Sequence, residues 1–414
     1  MLRIKLKFFW KLLVLLELFA FLASFPTVAT ASKKFEILHT FVGDPLPQIG
    51  TIPPIWLIQA KDGNLYGSTF GRLNGPFIPS TLFKIDISKP TPTYSDLNLD
   101  VEFGAPNFFH FVQSRNGIFY GTAVEGTFAG PEYLFQINTS VPPPLPTFVT
   151  QSLPSSTGDP TFVSELLEGE TGVFYATTTF GGNFLEGAGM ILQINTANPA
   201  NFKVLHDFSD DDPPIPLGRK SGLIWGTDGK LYGTTCRSAA SENGDLGNGV
   251  VFSFDVNGAT PASRVLHRFD GIHGTCPQGL LQGRDGKLYG TTDGGGSANQ
   301  GLIFSLDITR FNPVYRVLHN FHNTVAVHPR GKLVQFLNGK KLYGATASGG
   351  RHGKGTVFRL DLSGKKPRYT VIHTFDGIQS GSKPTVIKGR NGNLYGAALE
   401  GPGGAGLVYR INLN

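Results

Sequence analysis

Apolar and polar positions alternate along most of this chain in short runs, each stopped by Gly, Pro, Asn or Asp. Alternation with a period of two predicts β-strands, because successive side chains of an extended backbone point to opposite faces. One such run recurs around a tyrosine, as in Asn64-Leu65-Tyr66-Gly67-Ser68-Thr69, Lys230-Leu231-Tyr232-Gly233-Thr234-Thr235 and Lys287-Leu288-Tyr289-Gly290-Thr291-Thr292. Its seven copies place Tyr66, Tyr120, Tyr175, Tyr232, Tyr289, Tyr343 and Tyr395 about 55 residues apart, and seven units of that length account for the chain from residue 32 onward. A fixed period of this size is the mark of a repeat architecture.

Each unit reads as four strands. An apolar strand precedes an Asp-Gly or Asn-Gly dipeptide in six units, and Thr171-Gly172 in the other; the tyrosine strand follows at once. That dipeptide between apolar runs predicts a tight hairpin of type I′, with positive φ at both central residues. After a Gly-rich loop comes a third strand of the form Val251-Phe252-Ser253-Phe254-Asp255. Its alternation predicts a half-buried strand, and its closing Asp or Asn a turn held by that side chain. A fourth strand follows, as in Val265-Leu266-His267-Arg268-Phe269.

Four antiparallel strands per unit, with no helix between them, predict an all-β fold: a single seven-bladed β-propeller over residues 32–414. The repeat region opens with a strand of the fourth type, Phe35–Phe41, and closes with one of the third type, Val408–Asn412. The N-terminal strand is therefore expected to complete the last blade and to remove the exposed edges at the junction.

Composition agrees with this class. The 54 glycines and 28 prolines beside 12% aromatic residues disfavour long helices, while 40% hydrophobic residues are too many for disorder. The formal charge of +6 includes Arg3, Lys5, Lys7 and Lys11, so the field of the remainder is too weak to imply a nucleic-acid partner. That basic stretch, the apolar run Leu12–Phe25 and the small-x-small pattern Ala29-Thr30-Ala31 predict a signal peptide over residues 1–31, cleaved after Ala31. Glu17 within the apolar run leaves an uncleaved anchor as the alternative. No later segment is long and apolar enough to span a bilayer. A secreted, periplasmic or cell-envelope monomer, without a transmembrane anchor after cleavage, is expected.

The unit Asp-Gly-x-Leu-Tyr-Gly-Thr-Thr, Gly-rich loop, Val-Phe-x-Leu-Asp, Val-Leu-His-x-Phe resembles the GloVer tandem repeat of exported bacterial proteins, which are often joined to a variable C-terminal anchor. The likeness covers residues 35–414 and is strongest in units 4 to 7. It implies export and a repeat architecture and assigns no catalytic residues. No C-terminal anchor of that kind is found in the sequence, so surface sorting by that route is not expected.

Candidate chemistry falls on four groups. His39, His206, His267, His319 and His373 share one repeat position with Phe two residues later, which predicts packing with one satisfied hydrogen bond. His273, His322, His328 and His352 fall in loops of units 5 and 6, and with Asp293 they would share one sector of a propeller face, a candidate metal or general-base site. Asp210-Asp211-Asp212 is a candidate divalent-cation loop, read otherwise as a solvated turn. Aligning the innermost strands on the hairpin gives one polar column, Gln59, Gln113, Glu168, Trp225, Gln282, Gln335 and Lys388, expected to line the axial channel. The seven tyrosines are expected in the core. Cys236 and Cys276 are the two cysteines, and an even count in an exported chain predicts that they are bonded.

The leading expectation is an exported propeller acting as a scaffold that binds a small molecule, glycan or protein through Gly-rich loops on one face. The alternatives are an extracellular metal-assisted lyase or hydrolase on the loops of units 5 and 6, and a structural envelope protein. The cofactor stays unknown, a divalent cation being the candidate.

Overall fold

In the computed structural model the strands from Phe35 onward form seven small antiparallel sheets in a ring, a seven-bladed β-propeller. The residues described are 34–41, 52–70, 81–97, 107–124, 132–140, 146–148, 163–178, 189–198, 202–208, 222–236, 248–258, 261–322, 326–336, 338–377, 384–399 and 406–413. The segment read as a signal peptide, 1–31, and the loop Asp210-Asp211-Asp212 lie outside them.

Six sheets have four strands, five of them in sequence order, and blade 5 has its first strand broken into Thr275–Pro277 and Leu281–Gln282, both paired with Leu288–Gly294. The last blade consists of Ile387–Lys388, Leu394–Ala398, Leu407–Ile411 and, from the other end of the chain, Phe35–Thr40. Phe35 lies opposite Ile411 and Thr40 opposite Leu407. Arg410 Nε donates to Glu36 Oε2 at 3.1 Å, and the Phe41 N–H donates to the Gly406 carbonyl at 3.0 Å. The closure expected from the strand order is present.

In most third strands the polar position of the alternation, such as Lys84, Gln193 or Arg359, stays part-exposed as expected, and two strands depart from this. Val250–Asp255 and Leu302–Asp307 bury every position except the closing Asp, so these strands are buried on both faces. Each sheet packs against a neighbour on either side, and the small Ser253 and Ser305 at the polar positions of these two strands are covered as well. The core is accordingly divided into clusters between blades, such as Tyr289, Phe321, Leu333, Leu342 and Phe358.

The hairpin turn differs too. Only its glycine has positive φ, 86° at Gly63 and 79° at Gly229, whereas Asp62 and Asp228 stay negative. The Gly63 N–H donates to the Ala60 carbonyl at 3.0 Å and the Ala60 N–H to the Asn64 carbonyl at 2.9 Å. This is the three-residue loop, a type I turn closed by a left-handed glycine, and it replaces the expected type I′ pair. It frees the Asp or Asn side chain for two tasks. Asp62 Oδ1 accepts the Asn64 N–H at 3.0 Å, and Asp62 Oδ2 accepts the Tyr66 hydroxyl at 2.9 Å. Tyr232 and Tyr289 bond Asp228 and Asp285 in the same way, at 2.7 and 2.9 Å. Burial first, and that carboxylate second, push these phenol pKa values above their ordinary range. In blade 3, where Thr171 replaces the acid, the Tyr175 hydroxyl accepts from Gln193 Nε2 at 2.8 Å instead. The tyrosines are core residues, as expected.

A β-bulge in the fourth strand recurs just before the repeated histidine, in blade 5 between the pairs Ile303–His319 and Phe304–Val317. A bulge re-aims the side chain beside it. Each ring meets its Phe edge-on and stacks on an aromatic ring of the next blade: His39 on Tyr94, His267 on Tyr315, His319 on Tyr369 and His373 on Phe35, at 3.8–4.1 Å between centroids. The expected hydrogen bond does not generalise, since His267 Nε2 is buried without a hydrogen-bond partner among the described residues. His206 departs from the pattern. The stacking position in blade 4 is Ser263, the opposing third-strand residue is Phe254 rather than Leu or Ile, and His206 tilts against Phe254 at 5.6 Å. Blade 4 has exchanged a large residue between two facing positions.

Two predictions follow from these rings. Phe254→Leu alone is expected to cost about 1–2 kcal/mol by opening a cavity, and adding Ser263→Tyr to restore most of it; denaturant unfolding that shows no recovery contradicts the exchange. Burial lowers the imidazole pKa of His267 and His319 from 6.5 to about 4. The folded protein keeps both rings neutral where the unfolded chain takes up protons, so their contribution is intact above pH 6.5 and lost as the pH falls towards 4. The thermal midpoint should fall across that window, less steeply in His267→Phe; a midpoint that climbs there contradicts the assignment.

Candidate functional site

The column of polar residues on the first strands is a set of contacts between blades. Each of its amides ends a strand beside its own hairpin. The oxygen accepts the first N–H of the preceding blade's turn: Gln59 from Arg390 at 2.7 Å, Gln113 from Lys61 at 2.6 Å, Gln282 from Thr227 at 2.8 Å and Gln335 from Arg284 at 3.1 Å. The nitrogen donates to the glycine carbonyl of its own turn, as Gln282 does to Gly286 at 3.1 Å and Gln335 to Gly339 at 2.9 Å.

Blade 3 substitutes Glu168, which has no donor. Its carboxylate accepts the Arg115 N–H at 2.9 Å and the Ser114 hydroxyl, while the Gly172 carbonyl is served by the Thr196 hydroxyl at 3.0 Å. At the two interfaces without an amide or acid, Trp225 Nε1 donates to the Glu168 carbonyl at 3.0 Å and Lys388 Nζ lies 5.4 Å above the Phe336 ring. All seven interfaces thus carry one contact from this column. The expectation that it lines the channel missed this role, because the partner of each residue lies one repeat away in sequence.

A second set of positions, three residues earlier, reads Trp56, His110, Glu165, Gly222, Gly279, Lys332 and Thr385 around the ring. Glu165 of blade 3 and Lys332 of blade 6 form an ion pair. Strands 167 residues apart meet in this way only because first strands of different blades face a common axis. The two glycines make room for the pair. A Cβ at Gly222 would stand 3.0 Å from Glu165 Oε2 and 3.5 Å from Lys332 Nζ, and one at Gly279 would stand 2.3 Å from Lys332 Cγ. His110 meets the Trp56 ring edge-on at 4.8 Å, and its Nδ1 is buried without a hydrogen-bond partner among the described residues. Burial lowers the His110 pKa, with Glu165 pulling it up and Lys332 down, so both charges act on this ring. Sequence reasoning passed over this set because its chemistry changes around the ring; the available signal was one charge of each sign at a position that is glycine in the two blades between them.

Among the loop residues of blades 5 and 6, two pairs stand out. His273 Nδ1 lies 2.6 Å from Asp270 Oδ2, both half exposed, and that hydrogen bond holds the Asp270 carboxyl below its ordinary pKa. His328 Nδ1 lies 2.9 Å from the Asp293 carbonyl and 3.6 Å from its Oδ1. His322 is exposed with its ring 6.3 Å from that of His319, and His352 is exposed between Lys341–Ser348 and Thr356–Asp361. Among the described residues no three His, Cys, Asp or Glu side chains gather as a metal site.

Cys236 and Cys276 stand at disulfide distance and join the end of the tyrosine strand of blade 4 to the first strand of blade 5. The pair Asp293 and His328 occupies the same two positions one blade on. Cys276 and His328 both have positive φ, 51° and 54°, and donate their N–H groups to Asn248 and Gln300 in turn. One interface is tied by sulfur and the next by a histidine and an acid.

A family model described as the Gloeobacter/Verrucomicrobia repeat matches residues 25–246, 109–339 and 219–414. No curated protein matches the chain at a significant level. Among solved structures, the extracellular domain of a hybrid two component system from B. thetaiotaomicron is similar at 13% identity and a TM-score of 0.55, over 92% of this chain and 41% of that one. Prolyl oligopeptidase B from Galerina marginata is similar at 12% identity and a TM-score of 0.53, over 87% of this chain and 49% of that one. The chain spans less than half the length of either, and at this identity the likeness is one of fold alone.

Gln282→Ala removes one inter-blade contact and is expected to cost about 1 kcal/mol in denaturant unfolding. Gln282→Glu keeps the acceptor for Thr227 and should cost less, unless the amide only fills space, in which case the two variants will be alike.

Proposed function

We propose, from the premise that this chain belongs to the Gloeobacter/Verrucomicrobia repeat family, that it is an exported binding scaffold whose Gly-rich loops on one propeller face meet a protein, glycan or small molecule. Export is supported by the character of residues 1–31 and by the cysteine pair, since disulfides persist in oxidising compartments. No helix among the described residues is long and apolar enough to cross a membrane.

The observation that carries the reading is the crest formed by the linker into blade 5 and the loop at residues 294–301. The Gly296 N–H donates to the Ile272 carbonyl at 3.0 Å, the Gly271 N–H to the Gly274 carbonyl at 3.1 Å, and the Gly295 N–H to Asn299 Oδ1 at 2.8 Å. The two loops are zipped by backbone, so their shape is set before a partner arrives and little ordering cost attends binding. On this crest Ile272 is 75% exposed, beside the half-exposed His273. An apolar side chain held in water on a pre-ordered loop is a suitable anchor.

Binding of the purified protein to arrays of glycans and peptides, and to extracts of its source envelope, tests this. Ile272→Asp is expected to weaken the bound class by about tenfold or more while the thermal midpoint stays unchanged. Absence of any bound class, or full binding by Ile272→Asp, counts against the loop face.

A further inference from the structure

The axial ion pair has properties that a stabilising salt bridge does not need. Partly buried pairs gain little over well-packed apolar residues, because desolvation offsets the attraction. Here the pair also requires glycine at two neighbouring blades, which leaves those positions without packing side chains. Both members keep some exposure, 32% for Lys332 and 23% for Glu165, so solvent reaches them. Beside them His110 holds a buried ring nitrogen with no hydrogen-bond partner among the described residues, and Trp56 presents an aromatic wall against it. Charge of each sign, an unspent polar atom and an apolar surface therefore meet on the axis.

From this geometry we infer that the axis holds a ligand site for a small zwitterion of the amino-acid type, whose ammonium pairs with Glu165 and whose carboxylate pairs with Lys332. The site carries one charge of each sign. A ligand with net charge would leave one protein charge uncompensated in a partly desolvated space, which is costly. A zwitterion exchanges one internal ion pair for two external ones and keeps the balance. His110 Nδ1 offers a further hydrogen bond, and Trp56 covers the ligand's carbon chain or ammonium face. Gly222 and Gly279 keep side chains of their own out of the space that the pair occupies. The site is separate from the loop crest, so either can fail without the other.

Isothermal titration calorimetry with glycine and 4-aminobutyrate as probes, against acetate and methylammonium, tests the inference. The zwitterions should bind, and each single-charge ion should bind at least about tenfold more weakly. Glu165→Gln and Lys332→Met should each lower zwitterion affinity by about tenfold or more. The exchanged double variant Glu165→Lys with Lys332→Glu keeps an ion pair and the fold, and should bind within about tenfold of the original protein. Ile272→Asp should leave these values unchanged, which separates this site from the loop face. No binding by either zwitterion, acetate or methylammonium binding as tightly as the zwitterions, or single variants that bind normally would overturn the assignment.

Discussion

Each blade of this ring reaches back to the blade before it. A side chain at the end of the first strand touches the hairpin of its neighbour, by an amide at four interfaces, a carboxylate at one, an indole at one and an ammonium over an aromatic ring at the last. A four-stranded sheet of this size cannot bury its two apolar faces alone, so the unit of stability is the pair of adjacent blades. The contacts fix the rotation between sheets near the axis, while the histidine stacks do so at the outer strands. The first-to-last strand pairing then makes the set a closed cycle.

Within that cycle the repeats tolerate exchange of chemistry at fixed positions. Where Glu168 replaces an amide, Thr196 takes over the lost donor. Where Phe254 enlarges the third strand, Ser263 yields the stacking place. Where sulfur joins blades 4 and 5, Asp293 and His328 join blades 5 and 6. These substitutions are compensated locally, because each repeat touches only its neighbours and the axis. The axial positions adjust to one another across the ring as well: the ion pair between blades 3 and 6 goes with glycine at blades 4 and 5.

Much of the fold was legible because it depends on local rules repeated seven times. The spacing of the tyrosines set the blade count, the strand types at the two ends set the closure, and the closing Asp of the third strand signalled its turn, as Asp86 shows by accepting the Ser88 N–H at 2.9 Å. The nearness of Cys236 and Cys276 followed from the shared face of successive loops. What was not legible depends on geometry that dipeptides do not encode. An Asp-Gly pair serves both the two-residue and the three-residue turn, and only the hydrogen-bond pattern at Ala60 and Gly63 separates them. The bulge before His319 leaves no mark in composition. Gln282 reads as a polar position on a strand, since Thr227 lies a whole repeat away. Glu165 and Lys332 are further apart still, and no periodicity connects them.

The closed cycle is tested most directly by native-state hydrogen exchange. The amides of Phe35–Thr40 that bond to Leu407–Ile411, with the Phe41 and Arg390 N–H groups, should exchange at the opening free energy of central strands such as Leu302–Asp307, because opening the junction opens the ring. Exchange of the N-terminal strand at a far lower free energy, with the remaining blades still protected, would show that the ring holds without its closure and would contradict this account.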